Sequence, residues 1–346
     1  MLIIMIEIDG SHKEGGGALL RVSTALSALT GKKFRIRNIR AGRPKPGMMM
    51  QHLNAVLAIG KISNAQITGL ETGSTQMEFV PGKLKGGQFQ VDVQTAGSSP
   101  LILQALMIPA IFTPEGVEIT IRGGTDVRWA PSVDYLTNVT IPTLKTMGAS
   151  VDLKLLRRGH YPRGGGLLKA NIKPLKKIKN LNIHKLEVDV IKGISHSTKL
   201  PRHVAIRQAD SAQKTLHSAG YDAEIEIESE TDALGPGSGL VLWSEFKGRN
   251  IPRVGASSLG KPGKPAETVG REAANEILSC ISQGAALDRY MGDQIIPYLA
   301  IAGSSSVKME KLTNHTLTNI YAAEKFTDCH FHITGSLGEV AVIEVE

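Results

Sequence analysis

The order in which strand and helix patterns recur constrains this chain more than any other feature. From the N-terminus it reads strand (2–8), glycine-rich turn, helix (17–30), strand (34–39), basic loop, helix (48–59) and two strands (65–70, 76–80). A second unit repeats that order: strand (88–93), helix (100–112), strand (117–121), a loop with Arg122 and Arg128, helix (132–147) and two strands (150–155, 166–172). Matching elements start about 82–90 residues apart, which marks an internal duplication. A third copy is split. A helix (288–301), a strand (306–312), a helix opening near 314 and two strands (329–333, 340–345) follow an insertion of about 100 residues. The insertion, 186–284, has its own pattern of three strands and two helices, joined by Gly/Pro-rich loops such as Gly235-Pro236-Gly237. The expected fold is therefore α/β. A large domain (1–185 and 285–346) of three βαβαβ-type repeats in a pseudo-threefold arrangement carries a small inserted α/β domain.

Bulk properties narrow the partners. A chain of 346 residues with 41% hydrophobic and 4% aromatic content can bury a large aliphatic core. Its net charge of +8 favours a polyanion such as nucleic acid or nucleotide over a neutral partner. Cys280 and Cys329 give no disulfide framework, so a reducing cytoplasm is expected. The apolar start, 1–6, is too short for a signal or membrane segment and is interrupted by Glu7 and Asp9. A strand edge could pair two chains as a homodimer, but the sequence marks no interface.

The chemistry concentrates at strand-to-helix corners. Asn314-His315-Thr316-Leu317-Thr318-Asn319-Ile320 follows an alternating strand and opens a helix, with Thr313 or Asn314 as cap. A helix N-terminus disfavours imidazolium and welcomes phosphate oxygens, so His315 suits phosphoryl or nucleotidyl capture. A capping or surface histidine is the structural alternative. In Arg40-Ala41-Gly42-Arg43-Pro44-Lys45-Pro46-Gly47, three cations flank a rigid turn ahead of a helix, which fits phosphate better than a floppy basic loop would. Gln51 and His52 follow as weaker candidates. Glu14-Gly15-Gly16-Gly17 sits between strand and helix without a Gly-Lys-Ser/Thr ending, so it is no Walker A loop. Arg21, Gln104 and Gln294 occupy equivalent positions in the three repeats, and a pseudo-threefold axis would turn them into one cleft. Tyr290-Met291-Gly292-Asp293-Gln294 reads on its own as an ordinary helix start. Cys329-His330-Phe331-His332 is no zinc motif, because alternation puts cysteine and histidines on opposite faces. Trp129 and Trp243 are read as packing residues rather than base-stacking ones.

Taken together, the His315 segment, the Arg40–Gly47 loop, Gln51-His52 and Gly292-Asp293-Gln294 resemble the RNA 3′-terminal-phosphate cyclases, over nearly the whole chain. The resemblance implies ATP-dependent conversion of an RNA 3′-phosphate into a 2′,3′-cyclic phosphate, with His315 becoming adenylylated. It implies an ATP pocket lined by Gln104 and by Tyr290, Met291, Gly292, Asp293 and Gln294. It assigns phosphate and RNA contacts to Arg21, Arg40, Arg43 and Gln51, and a Mg²⁺ or Mn²⁺ ion to Glu14. Two rivals remain at this stage. One is a non-catalytic RNA-processing relative, which the retained His315 disfavours. The other is an enolpyruvyl-type transferase, which would form no covalent nucleotide.

Overall fold

The structure is a computed structural model and describes residues 5–248 and 251–346. The first repeat consists of β1 (Ile6–Asp9), α1 (Gly17–Thr30), β2 (Phe34–Arg37), α2 (Met50–Ser63), β3 (Gln66–Thr68) and β4 (Met77–Val80). The strand expected from residue 2 thus begins outside the described residues. Alternation decides each strand's faces: Phe34 and Ile36 are buried while Arg37 is exposed. Helix α1 carries an apolar face of Leu19, Leu20 and Leu26, and it stops at Gly31, whose φ of 73° closes the left-handed C-terminal turn. The sheet order is β1-β2-β4-β3, with only β1 and β2 parallel.

The second repeat has the same plan: β5 (Gly87–Asp92), α3 (Ser99–Ala110), β6 (Val117–Gly123), α4 (Val133–Tyr135), α5 (Ile141–Thr146), β7 (Val151–Arg157) and β8 (Gly166–Ile172). Its order, β5-β6-β8-β7, matches the first. The single helix expected over 132–147 is instead interrupted by a π-helical stretch, Leu136–Thr140. Pro142 sits at the start of α5 and lacks the N–H that an uninterrupted α-helical ladder would use there.

The third repeat begins earlier than its helix pattern indicates. Strand β9 (Asn182–Ile183) precedes the inserted segment and pairs in parallel with a strand that follows it. The segment itself folds as β10 (Val188–Thr198), α6 (His203–Ser218), β11 (Ala223–Glu230), β12 (Gly237–Phe246), β13 (Val254–Leu259) and α7 (Ala266–Ser282). Its sheet order is β11-β10-β12-β13. Strand β13 was not expected, because Val-Gly-Ala-Ser-Ser-Leu gives almost no alternation. After it come α8 (Arg289–Ala302), β14 (Ser305–Met309), α9 (Asn314–Phe326), β15 (Phe331–Thr334) and β16 (Ala341–Val345). The order β9-β14-β16-β15 then reproduces that of the other two repeats.

One continuous core runs through the three repeats, including Leu19, Leu106 and Leu299. Ile191, Leu242 and Ile277 belong to a separate core in the inserted segment. Tyr135 and Val139 pack on Val241 and Trp243, joining the second repeat to that segment. Helix α1 packs on α2, α3 and α9, and α9 in turn packs on α8. These helices bring the strand-to-helix corners of the first and third repeats together. Among the described residues no helix is long and apolar enough to cross a membrane.

Candidate functional site

The site is built on the first turn of α9. Thr313 is the N-cap, and its side chain accepts from Thr316 N at 3.0 Å. The Thr316 hydroxyl accepts in return from Thr313 N at 3.2 Å. Asp293, on α8, takes both hydroxyls on one carboxylate oxygen, at 2.5 Å from Thr313 and 2.6 Å from Thr316. Its backbone carbonyl accepts from Asn319 Nδ2 at 2.7 Å. Burial raises the Asp293 carboxyl to about 7, against the lowering effect of the two threonine hydroxyls. Asp293 therefore acts here as a clamp on the turn that carries His315.

His315 follows this cap with 47% of its side chain exposed. Its Nε2 lies 3.8 Å from Glu14 Oε1. Burial of the remainder, then the charges of Arg21 and Arg43, lower its pKa to about 4. The ring is neutral at pH 7, as the sequence indicated, but burial and cationic side chains are the causes found.

The glycine-rich turn and the basic loop meet beside it. Gly42 N donates to Gly15 O at 3.1 Å, and Glu14 N donates to Thr318 Oγ1 at 3.4 Å. Both Glu14 carboxylate oxygens are buried without a hydrogen-bond partner, and Arg43 forms an ion pair with Oε1. A Cβ at Gly16 would lie 2.0 Å from Glu14 Oε2, and one at Gly17 would lie 2.1 Å from His52 Nε2. A side chain at Gly16 would displace the Glu14 carboxylate, and one at Gly17 the His52 ring. Arg40 adopts a φ of 58° and donates through Nη1 to Lys45 O at 2.7 Å and Gly47 O at 2.8 Å. It fixes the loop's shape and keeps its remaining donors. Burial, then the nearby Arg40, lower the Arg21 pKa to about 10.

Other predicted residues have more specific partners than the sequence allowed. Gln51 Oε1 accepts from Ser98 N at 3.1 Å, which ties the first repeat to the start of α3. His52 is buried and its Nδ1 accepts from Met49 N at 3.2 Å. Burial, then Arg21 and Arg40, push its pKa down to about 3, so it is a neutral strut under the turn. Gln294 is buried, and its Oε1 accepts from Thr140 Oγ1, at the end of the π-helical stretch, at 2.8 Å. Gln104 is half-buried on α3. Among the described residues no hydrogen bond joins Arg21, Gln104 and Gln294. Met291 is buried, and Gly292 packs against the Met309 side chain. Tyr290 is partly exposed, with Arg289 donating to its hydroxyl at 2.8 Å. Thr313 is the cap, one of the two residues the sequence offered for it; the reciprocal Thr316 hydroxyl was not singled out, although the Thr-x-x-Thr spacing around His315 is a capping-box pattern.

Two further readings resolve differently. Trp243 is packed in the core, but Trp129 is 87% exposed, with the Arg128 guanidinium over its ring at 4.7 Å. The packing interpretation therefore fails for Trp129. In 329–332, Cys329 is buried against the Thr327 hydroxyl while His330 and His332 are exposed, as alternation indicated.

Comparison with known proteins covers almost the entire chain. The family model described as RNA 3′-terminal phosphate cyclase matches residues 12–333. A protein of that name from Methanothermobacter thermautotrophicus is 50% identical over 341 residues, covering 99% of this chain and 100% of the relative. Its namesake from Pyrococcus furiosus is 49% identical over 342 residues, covering 99% and 98%. One from Methanopyrus kandleri is 49% identical over 348 residues, again covering 99% and 98%. With its three like-ordered sheets and a basic, histidine-bearing corner, the chain belongs to the RNA 3′-terminal phosphate cyclase family.

Proposed function

We propose that this protein uses ATP to convert an RNA 3′-phosphate end into a 2′,3′-cyclic phosphate, through a covalent nucleotide on His315. The observation that carries this reading is the placement of His315: a neutral, half-exposed imidazole on a clamped helix start, within the field of Arg21 and Arg43. Retention of a nucleophile so placed argues against a purely RNA-binding role. The family relationship removes the enolpyruvyl-type alternative.

The chemistry follows from leaving groups. A phosphate monoester oxygen on RNA is a poor leaving group, and linking it to AMP makes it a good one. His315 attacks the α-phosphorus of ATP; a P–N bond forms and the bond to pyrophosphate breaks. An oxygen of the RNA 3′-phosphate then attacks the same phosphorus, the P–N bond breaks, and RNA carries AMP through an anhydride. The vicinal 2′-hydroxyl attacks the 3′-phosphorus, loses its proton, and AMP departs. Arg21, Arg40 and Arg43 neutralise the phosphates brought together in these displacements. Asp293 holds the nucleophile's helix turn by its two threonine hydroxyls. Gln104 and the 290–294 segment are assigned to the ATP pocket, and Gln51 to the RNA side.

The chemistry of Glu14 fits a hard cation, since its carboxylate is buried, Oε2 has no hydrogen-bond partner and Oε1 is met by the Arg43 ion pair. Mg²⁺ or Mn²⁺ held there would supply charge neutralisation on the triphosphate. The net charge of +8 suits an RNA end as the second substrate.

The test uses ATP labelled at the α-phosphate. With Mg²⁺ or Mn²⁺, label should remain on the denatured chain, be acid-labile and alkali-stable, and be discharged by RNA bearing a 3′-phosphate. Wild-type protein that takes up no label with pyrophosphate removed would refute the covalent route.

A further inference from the structure

A second group of chemistry-bearing side chains lies away from His315, where the second repeat meets the inserted segment. Asp126 follows β6, His160 follows β7, and His196 lies on β10. One ligand-capable atom from each lies within 4.8 Å of the others, and all three residues are buried. His196 is fully buried, and neither of its ring nitrogens has a hydrogen-bond partner. His160 Nε2 and Asp126 Oδ1 are likewise buried and unpartnered. A buried polar atom with no partner costs about 1–3 kcal/mol, so four in one place require an explanation.

The surroundings hold these groups in a ligating state. His160 Nε2 is buried with no hydrogen-bond partner and faces the same space. Burial drives both imidazoles towards the neutral form that ligates a metal. The other Asp126 oxygen, Oδ2, is bound by the Thr125 hydroxyl at 2.7 Å and by Arg158 at 3.3 Å. Glycines on β12 make room for the rings: a Cβ at Gly237 would lie 2.1 Å from His160, and one at Gly239 2.9 Å from His196.

The charges around the group are unbalanced. Fully buried Arg158 is the single guanidinium for three carboxylates: Asp126 at 3.3 Å, Asp134 at 2.8 Å and Glu228 at 2.5 Å. With neutral imidazoles the excess is negative, and a dication offsets it. Two imidazoles and one carboxylate form a donor set for a borderline transition ion rather than for Mg²⁺ or Ca²⁺.

We propose that Asp126, His160 and His196 bind one divalent transition-metal cation of the zinc class, which ties the second repeat to the inserted segment. Arg158 orients the carboxylates around it. The ion is structural, and it is distinct from the cation assigned to Glu14.

The test uses the full chain, stripped with a chelator and dialysed against Zn²⁺ or Co²⁺. Metal analysis should find one tightly held equivalent that persists in Glu14→Ala and is weakened at least about 100-fold in His160→Gln and His196→Gln. Reloading should raise the melting temperature of wild-type protein. Co²⁺ in wild-type protein should give the visible absorption of a low-coordinate nitrogen/oxygen centre, displaced by Zn²⁺. This last measurement decides the matter even where the histidine variants do not fold. An equivalent that disappears with Glu14→Ala, one that survives both histidine substitutions, or Co²⁺ without visible bands would each overturn the proposal.

Discussion

The corner that carries His315 and the junction that holds His160 and His196 use the same side chain in opposite surroundings. His315 is half exposed among cations, with one carboxylate near it. His160 and His196 are buried beside one cation that faces three carboxylates. Burial is the leading cause of the lowered pKa in every case, so neutrality alone does not distinguish them. The surrounding field does. The first region suits an incoming anion and leaves its nucleophile accessible; the second suits a cation and closes over it.

Mutations should separate the two regions. His315→Ala should reduce cyclisation at least about 10³-fold and abolish covalent AMP. Its melting temperature should stay close to wild type, because a half-exposed ring at a helix start contributes little packing. The reverse profile would show that the corner is primarily structural. Arg158→Met should cost about 3–5 kcal/mol by leaving buried carboxylates without their cation, as read by denaturant unfolding. The loss should shrink at acid pH as those carboxyls protonate. Gly237→Ala should be milder, at about 1–3 kcal/mol, since its Cβ would press on the His160 ring. Thermal melting should reveal it, with His315 labelling unchanged.

The remaining effect is a pH dependence. The folded-state pKa of Asp293 is raised from 3.8 to about 7, so the native state binds the extra proton. The contribution of this group to stability is therefore present below about pH 4 and is lost as pH rises towards 7. Asp293→Asn removes that titration. The stability difference between wild type and variant should drift against wild type across this window. A flat difference would mean that Asp293 is already ionised, with Thr313 and Thr316 as full donors.

These regions also differed in how far the sequence revealed them. Arg40, Arg43 and His315 each lie in a short segment whose residue types suit phosphate chemistry, and the family resemblance pointed to Glu14, so this candidate corner was legible in the sequence. The repeat order exposed the α/β architecture in the same way. Asp126, His160 and His196 come from three separated segments with no ligand spacing, and only the packing of β10 and β12 against the second repeat brings them together. The strand at 254–259 and the two-residue β9 were missed because small polar residues and extreme shortness give no periodicity. The partner of Gln294, Thr140, depends on a π-helical stretch that the helical pattern did not reveal.

Strand β9 has a consequence for the order of folding. Leu181 N donates to Ser305 Oγ at 3.2 Å across 124 residues, so the third sheet cannot close until the chain has returned from the inserted segment. Closing a loop of that length from a disordered chain costs about 4 kcal/mol in entropy, far more than two residues of pairing recover. A segment that has already condensed around its own core shortens the effective loop. During synthesis, the first two repeats and the inserted segment can therefore form before the third. The turn bearing His315 is then among the last parts of the molecule to take shape, so a chain stalled before that point has no assembled nucleophile.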